Sequence, residues 1–185
     1  MHRRTFLKSA SALLPAASFK SFALQQVSPQ AAQPSSEIHV VGPGQDRFGE
    51  HHSLGFSTII FKVPTSDSGG SVFAIEHQNL LKGGPPVHFH LHQDEWFYVM
   101  EGSVLFQVGG ERKLLHAGES VLGPRMIPHG FCAVGEKPSR MLITFTPAGK
   151  MEQFFRDIAI PNGPKMDAEV FARYDMQYVG PPLTT

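Results

Sequence analysis

The sequence predicts an all-β domain, a sandwich or barrel of short strands, with helix confined to the C-terminal end. Three observations carry this. Runs rich in β-branched and aromatic residues recur between residues 56 and 145, bounded by Gly, Pro, Asp or Ser, at the roughly 8–12-residue spacing of sandwiches and barrels. Phe (15), Gly (18) and Pro (15) are all frequent, which suits an aromatic core wrapped by tight turns. Apolar residues make up 41% of 185, enough to close one core in one domain.

Sixteen basic residues balance sixteen acidic ones, so the charge points to neither nucleic acid nor an anionic membrane as partner. Cys132 is the single cysteine. That excludes an internal disulfide and a thiolate metal cluster, and its place between Phe131 and Ala133 reads as buried rather than catalytic.

Residues 1–23 read as an export signal. Met1 to Lys8 is basic, Ser9 to Phe19 is small and weakly apolar, and Ser21-Phe22-Ala23 offers a small-x-small cleavage site. The apolar stretch is shorter than the ~20 residues that span a bilayer, so no membrane insertion is expected once the signal is removed. Arg3-Arg4-x-Phe6-Leu7-Lys8 resembles the twin-arginine consensus, which implies export in the folded state and a periplasmic or secreted protein. Residues 24–50 read as a flexible tether, rich in Gln, Ser, Ala and Pro at first and broken by Gly42-Pro43-Gly44 later. Residues 51–148 are the barrel, and residues 149–185 a C-terminal helical extension.

Within the barrel, Phe56 to Val63 is a β-branched strand stopped by Pro64, and Asp67 to Gly70 is a turn. Ser71 to His77 is the next strand, followed by a proline-bearing loop, Lys82 to Pro86, that forces an extended approach to His88. Glu95–Met100 and Ser103–Val108 read as a hairpin across Glu101-Gly102, with the next turn at Gly109-Gly110. Short strands follow at Ser120–Leu122 and Phe131–Val134, and a strongly apolar one at Met141–Phe145. Gly149–Ile158 and Asp167–Tyr174 carry apolar residues at helical spacing, which predicts two helices packed on the outside. The chain shows no internal repeat.

The chemistry is concentrated between Gly84 and His129. His88 and His90 are two residues apart, so on a strand both leave the same face. Glu95 opens the following strand, and His129 arrives from a later one. Three imidazoles and a carboxylate suit a divalent first-row metal, with Fe, Mn, Ni, Co and Cu all compatible. His92 forms a second HXH pair with His90, with only two residues before Glu95, and is the competing ligand. His39, His51, His52, His77 and His116 read as ordinary polar residues.

These residues resemble the two cupin motifs, G(X)5HXH(X)3,4E(X)6G and G(X)5PXG(X)2H(X)3N. His88-x-His90, Glu95 and Gly102 match the first, with Lys82 in the place of its leading glycine. Gly118, Pro124 and His129 match the second, with Met126 and Ala133 in the places of its inner glycine and asparagine. The resemblance covers roughly residues 55–148 and implies a single cupin β-barrel of the double-stranded β-helix or jelly-roll kind. It also implies one metal on His88, His90, Glu95 and His129, and homodimers, which are common in the superfamily.

Asp94 to Val99, Glu101-Gly102 and the closing Tyr178-Val179-Gly180-Pro181-Pro182-Leu183 are further similar to the quercetin dioxygenase-like single-domain cupins. That likeness implies dioxygen and a flavonol-like aromatic substrate, with Glu95 both ligand and catalytic base. Two other readings stand beside it, a periplasmic small-molecule-binding cupin without turnover and a metal-assisted isomerase or decarboxylase. A sugar-directed site wants inward Lys, Arg or Asn, whereas Arg112, Lys113 and Arg125 all lie next to turns; the Phe-rich interior favours an aromatic substrate.

Overall fold

The computed structural model describes residue 33 and residues 36–185. The strands are β1 (His52–Ser53), β2 (Thr58–Val63), β3 (Phe73–Leu80), β4 (Pro86–His90), β5 (Asp94–Glu101) and β6 (Ser103–Val108). They continue with β7 (Glu111–His116), β8 (Ser120–Gly123), β9 (His129–Ala133), β10 (Ser139–Thr146) and β11 (Met176–Pro182). A helical turn, α1 (Thr65–Ser68), follows Pro64, and two helices, α2 (Met151–Ile158) and α3 (Ala168–Arg173), lie between β10 and β11. The export signal and, apart from residue 33, the tether before residue 36 lie outside the described residues. Among the described residues no helix is long and apolar enough to cross a membrane.

The strands do not close into one barrel. They form two antiparallel sheets, ordered β1-β2-β3-β10-β5-β8 and β11-β4-β9-β6-β7, a jelly-roll arrangement with the core between them. The expected β5–β6 hairpin is absent: β5 pairs with β10 and β8, whereas β6 pairs with β7 and β9. One residue, Gly102, separates the two strands, too few for the two-residue turn a hairpin needs. At φ 77° it instead turns the chain from one sheet into the other. Ser139 latches the crossing, its hydroxyl accepting from Ser103 N and donating to Ser103 O, both at 3.2 Å.

A Cβ at Gly102 would collide with the Ser139 hydroxyl and approach its Cα to 3.0 Å, on a backbone that L-residues adopt at a cost. Gly102→Ala is therefore expected to lower stability by more than about 2 kcal/mol. An unchanged urea midpoint would show that the crossing tolerates a side chain. The true hairpin lies one turn later, where Gly109-Gly110 joins β6 to β7 and Val108 faces Glu111.

Alternation explains which side chains enter the core. Phe73, Ile75 and His77 of β3, Glu95, Phe97 and Val99 of β5, and Met141, Ile143 and Phe145 of β10 all face inward and are buried. Phe97 reaches across to Phe106 (5.1 Å between ring centroids) and Phe131 (5.8 Å), which joins the sheets.

The C-terminal helices belong to this core, contrary to the expected outside packing. Met151, Phe154, Phe155 and Ile158 repeat at i, i+3, i+4, i+7 and are all buried, and Phe155 packs on Phe73 and Phe145. Asp167 caps α3 by accepting from Val170 N at 2.9 Å. The chain then pairs β11 with β4, the strand that carries His88 and His90. On the other side, Asp46 accepts from Phe61 N at 2.7 Å, and Arg47 N donates to Phe61 O at 2.9 Å. These bonds tie the irregular segment before β1 along β2.

Candidate metal centre

His88, His90, Glu95 and His129 converge between the two sheets. β4 sends His88 and His90 inward, β5 sends Glu95 inward from the facing sheet, and β9 opens with His129 directly opposite His88. One ligand atom from each lies within 4.8 Å of the others, and all four residues are buried. Glu95 Oε2 is 3.0 Å from His90 Nε2 and 2.9 Å from His129 Nε2. Gly123, paired with Glu95, leaves room for the His129 ring, because a Cβ there would stand 3.0 Å from its Nδ1.

The hydrogen bonds behind these rings fit a metal. His88 Nδ1 lies 2.8 Å from Pro86 O and His129 Nδ1 2.9 Å from Ile127 O. Each carbonyl is placed to accept the Nδ1 proton, which in a neutral ring would leave the Nε2 lone pair for the cluster. A neutral imidazole has one N–H, yet His129 faces two acceptors, the Ile127 carbonyl and the Glu95 carboxylate. A cation at Nε2 resolves that conflict. The donor set of three imidazoles and one carboxylate is suited to a divalent first-row metal.

Burial dominates the electrostatics. It pushes the His88 imidazole down to about 3, with like-charge repulsion from His129 and His90 acting the same way and Glu95 opposing. For Glu95 burial acts upward, but hydrogen bonds from His129 and His90 outweigh it and hold the carboxyl well below the usual carboxylate range. Asp94, next along β5, is held down to about 2 by Arg125, which donates to it from its backbone, Nε and Nη2. This exposed clamp ties the turn before His129 to the start of β5. In the same turn Met126 N donates to His90 O at 2.8 Å, with Met126 at φ 64°. The residue standing where the cupin motif has glycine thus keeps a glycine-like backbone. Met126→Gly is expected to be neutral or to stabilise by up to about 1 kcal/mol, read from the thermal midpoint.

His92 is exposed and outside the cluster. His116 bonds Ser103, His52 stacks on Phe61, and His39 pairs with Glu37, all away from it. Cys132 is buried beside Val87 and Leu183, and burial pushes its thiol up. The site extends beyond the four residues in two ways that local pattern did not reveal. His77 lines the same cavity, and so do Met151, Phe154, Phe155 and Phe171 from the two helices. The helical spacing was the signal for the helices; nothing local marks His77.

The cavity is small, with about 30 Å³ open to the centre of a water molecule, room for an ion and one or two waters. Leu54, Phe56 and Met166 form a neck, lining both this cavity and an outer groove of about 850 Å³ between the β1–β2 loop and residues 158–168. These shared residues mark a route by which a ligand in the outer groove could approach the cluster.

Residues 77–145, which contain the whole cluster, match the cupin-domain family model. That segment of the chain is similar to cupin domains. The chain's β-sheets resemble the RmlC-like cupin from Shewanella frigidimarina, at TM-score 0.52 and 23% identity, over 63% of this chain and 96% of that one. They also resemble the nucleoside dehydratase Pac13, at TM-score 0.50 and 12% identity, over 78% and 93% of the two chains. At these identities the likeness establishes the fold alone. The tetracenomycin polyketide synthase protein TcmJ of Streptomyces glaucescens is 30% identical over 97 residues, 52% of this chain. The chain spans 64% of that relative's length, just under two thirds of it.

Proposed function

We propose that this cupin is a metal-dependent enzyme acting on an aromatic small molecule that carries several oxygens, and that its reaction is a flavonol-type dioxygenation. The observation that supports this most is the buried three-histidine, one-glutamate cluster at the foot of a phenylalanine-lined cavity. His88, His90, Glu95 and His129 would hold the metal, which when bound supplies Lewis acidity and, with dioxygen, redox chemistry. Phe131, Phe145, Phe155 and Phe171 line the cavity with apolar aromatic surface, which favours an aromatic body, although the side chains must part to admit one.

Glu95 is the residue placed to take a proton from a substrate hydroxyl. Its two N–H···O contacts make it a weak base as it stands. A carboxylate that also holds a dication would be a weaker base still, so Glu95 would act as a base only by shifting away from the metal.

The relation to a polyketide synthase protein favours a second reading, a metal-assisted reaction without dioxygen on a polyketide-like substrate whose keto and hydroxyl oxygens reach the same cluster. Metal analysis of the mature protein, followed by an oxygen electrode with quercetin, separates the two. About one equivalent of metal and oxygen uptake supports the dioxygenase; metal with turnover but no oxygen uptake supports the second reading. Metal with neither points to a binding cupin, and no metal uptake removes both enzymatic readings. The proposal includes export to the periplasm through the Arg3-Arg4 leader, so replacing both arginines with lysine should retain the protein in the cytoplasm on fractionation.

A further inference from the structure

His77 occupies an inward position of β3 between two apolar strands, next in the row after Phe73 and Ile75, where a hydrocarbon side chain would complete the core. It is 2% exposed. Ser57, also buried, holds its Nδ1 at 2.9 Å, and Phe131 and Phe155 meet the ring edge-on at 5.6 and 6.3 Å between centroids. Its Nε2 is buried and has no hydrogen-bond partner among the described residues. The ring lines the cavity that contains His88, His90 and Glu95, yet is not one of the converging ligand residues.

Burying a nitrogen without a hydrogen-bond partner is costly. Phenylalanine at this position would avoid that cost. Every other side chain that lines the cavity outside the cluster is apolar, so among the described residues His77 is the one polar side chain the cavity offers besides the cluster itself. Burial keeps the imidazole neutral, with a single N–H whose placement Ser57 sets, since a hydroxyl can donate or accept.

We propose that His77 orients the substrate: its Nε2 makes the hydrogen bond to a ligand oxygen adjacent to the one that meets the metal cluster. The site would thus select aromatic molecules with two neighbouring oxygens, a diol or a hydroxy-ketone, over those with one. The inference rests on the metal-dependent reading above and adds the specificity element to it. Ser57 acts through His77 as a positioning residue.

The test measures 4-nitrocatechol binding to metal-loaded protein without oxygen, by absorbance titration, with metal content determined on the same samples. 4-Nitrophenol serves as the single-oxygen control. His77→Phe is expected to weaken nitrocatechol binding about ten-fold while leaving nitrophenol binding and metal content unchanged, the worth of one hydrogen bond. His77→Gln, which retains polar capacity, should recover part of the loss. Equal nitrocatechol affinity in His77→Phe with metal retained overturns the role of His77 and leaves the metal reading standing. Loss of metal in His77→Phe assigns the residue to holding the centre and also overturns the proposal. Wild-type protein that takes up no metal and binds no diol defeats both readings together.

Discussion

His129→Ala is expected to abolish stoichiometric metal binding, His88→Ala to do the same, and His92→Ala to leave it intact. The expectation follows from position. His129 supplies an Nε2 2.9 Å from the Glu95 carboxylate on a ring held from behind by Ile127 O, whereas His92 is exposed beyond the end of β4. Losing a residue that only orients a ligand typically costs 10–100-fold in metal affinity, so losing a ligand outright should cost more than about 100-fold. Metal content after dialysis, by mass spectrometry, is the measurement, with circular dichroism to confirm folding. His129→Gln, which fills more of the space, guards against a trivial loss of structure and is expected to fail equally. Full occupancy in folded His129→Ala, or loss in His92→Ala, would place the centre on different residues.

The parts of this site that were legible in the sequence are those encoded by local spacing. His88-x-His90 needs only the two-residue period of a strand to share a face, and Glu95, Gly102, Pro124 and His129 fall at the cupin spacings. What stayed hidden depends on distant partners. A β-run, one glycine and another β-run fit a hairpin as readily as a crossing between sheets; Ser139, far along the chain, latches the crossing at Gly102. The apolar stripe of α2 was visible, but nothing local says that Phe155 docks on Phe73 and Phe145 rather than on the outer surface. His77 is the extreme case. It looks like any strand histidine until the pairing of β2 with β3 sets Ser57 beside it and the helices close the cavity around it.

The same burial makes the metal-free protein acid-labile. In an unfolded chain His77 and His88 take up protons near 6.5; in the folded protein burial holds them neutral until about 4 and about 3, with Glu95 opposing the shift at both and His129 and His90 reinforcing it at His88. Between these values the unfolded state binds up to two more protons, so stability rises with pH there and is lost on acidification. Glu95 adds to the loss below about 4.5, since its folded carboxyl stays ionised where an unfolded one protonates. Each histidine contributes about 1.4 kcal/mol per pH unit, so acidification from 6.5 to 4.5 costs on the order of 5 kcal/mol, comparable to the whole stability of many domains. Urea midpoints of chelator-treated protein at pH 7, 6 and 5 should fall steeply, and His77→Phe should remove about half of the slope. A flat profile would mean that these imidazoles are hydrated or charged in the fold. Because protons and metal compete for the same lone pairs, bound metal should hold the midpoint up until it dissociates near pH 5–6. Apo and metal-loaded curves are therefore expected to diverge at neutral pH and to converge in acid.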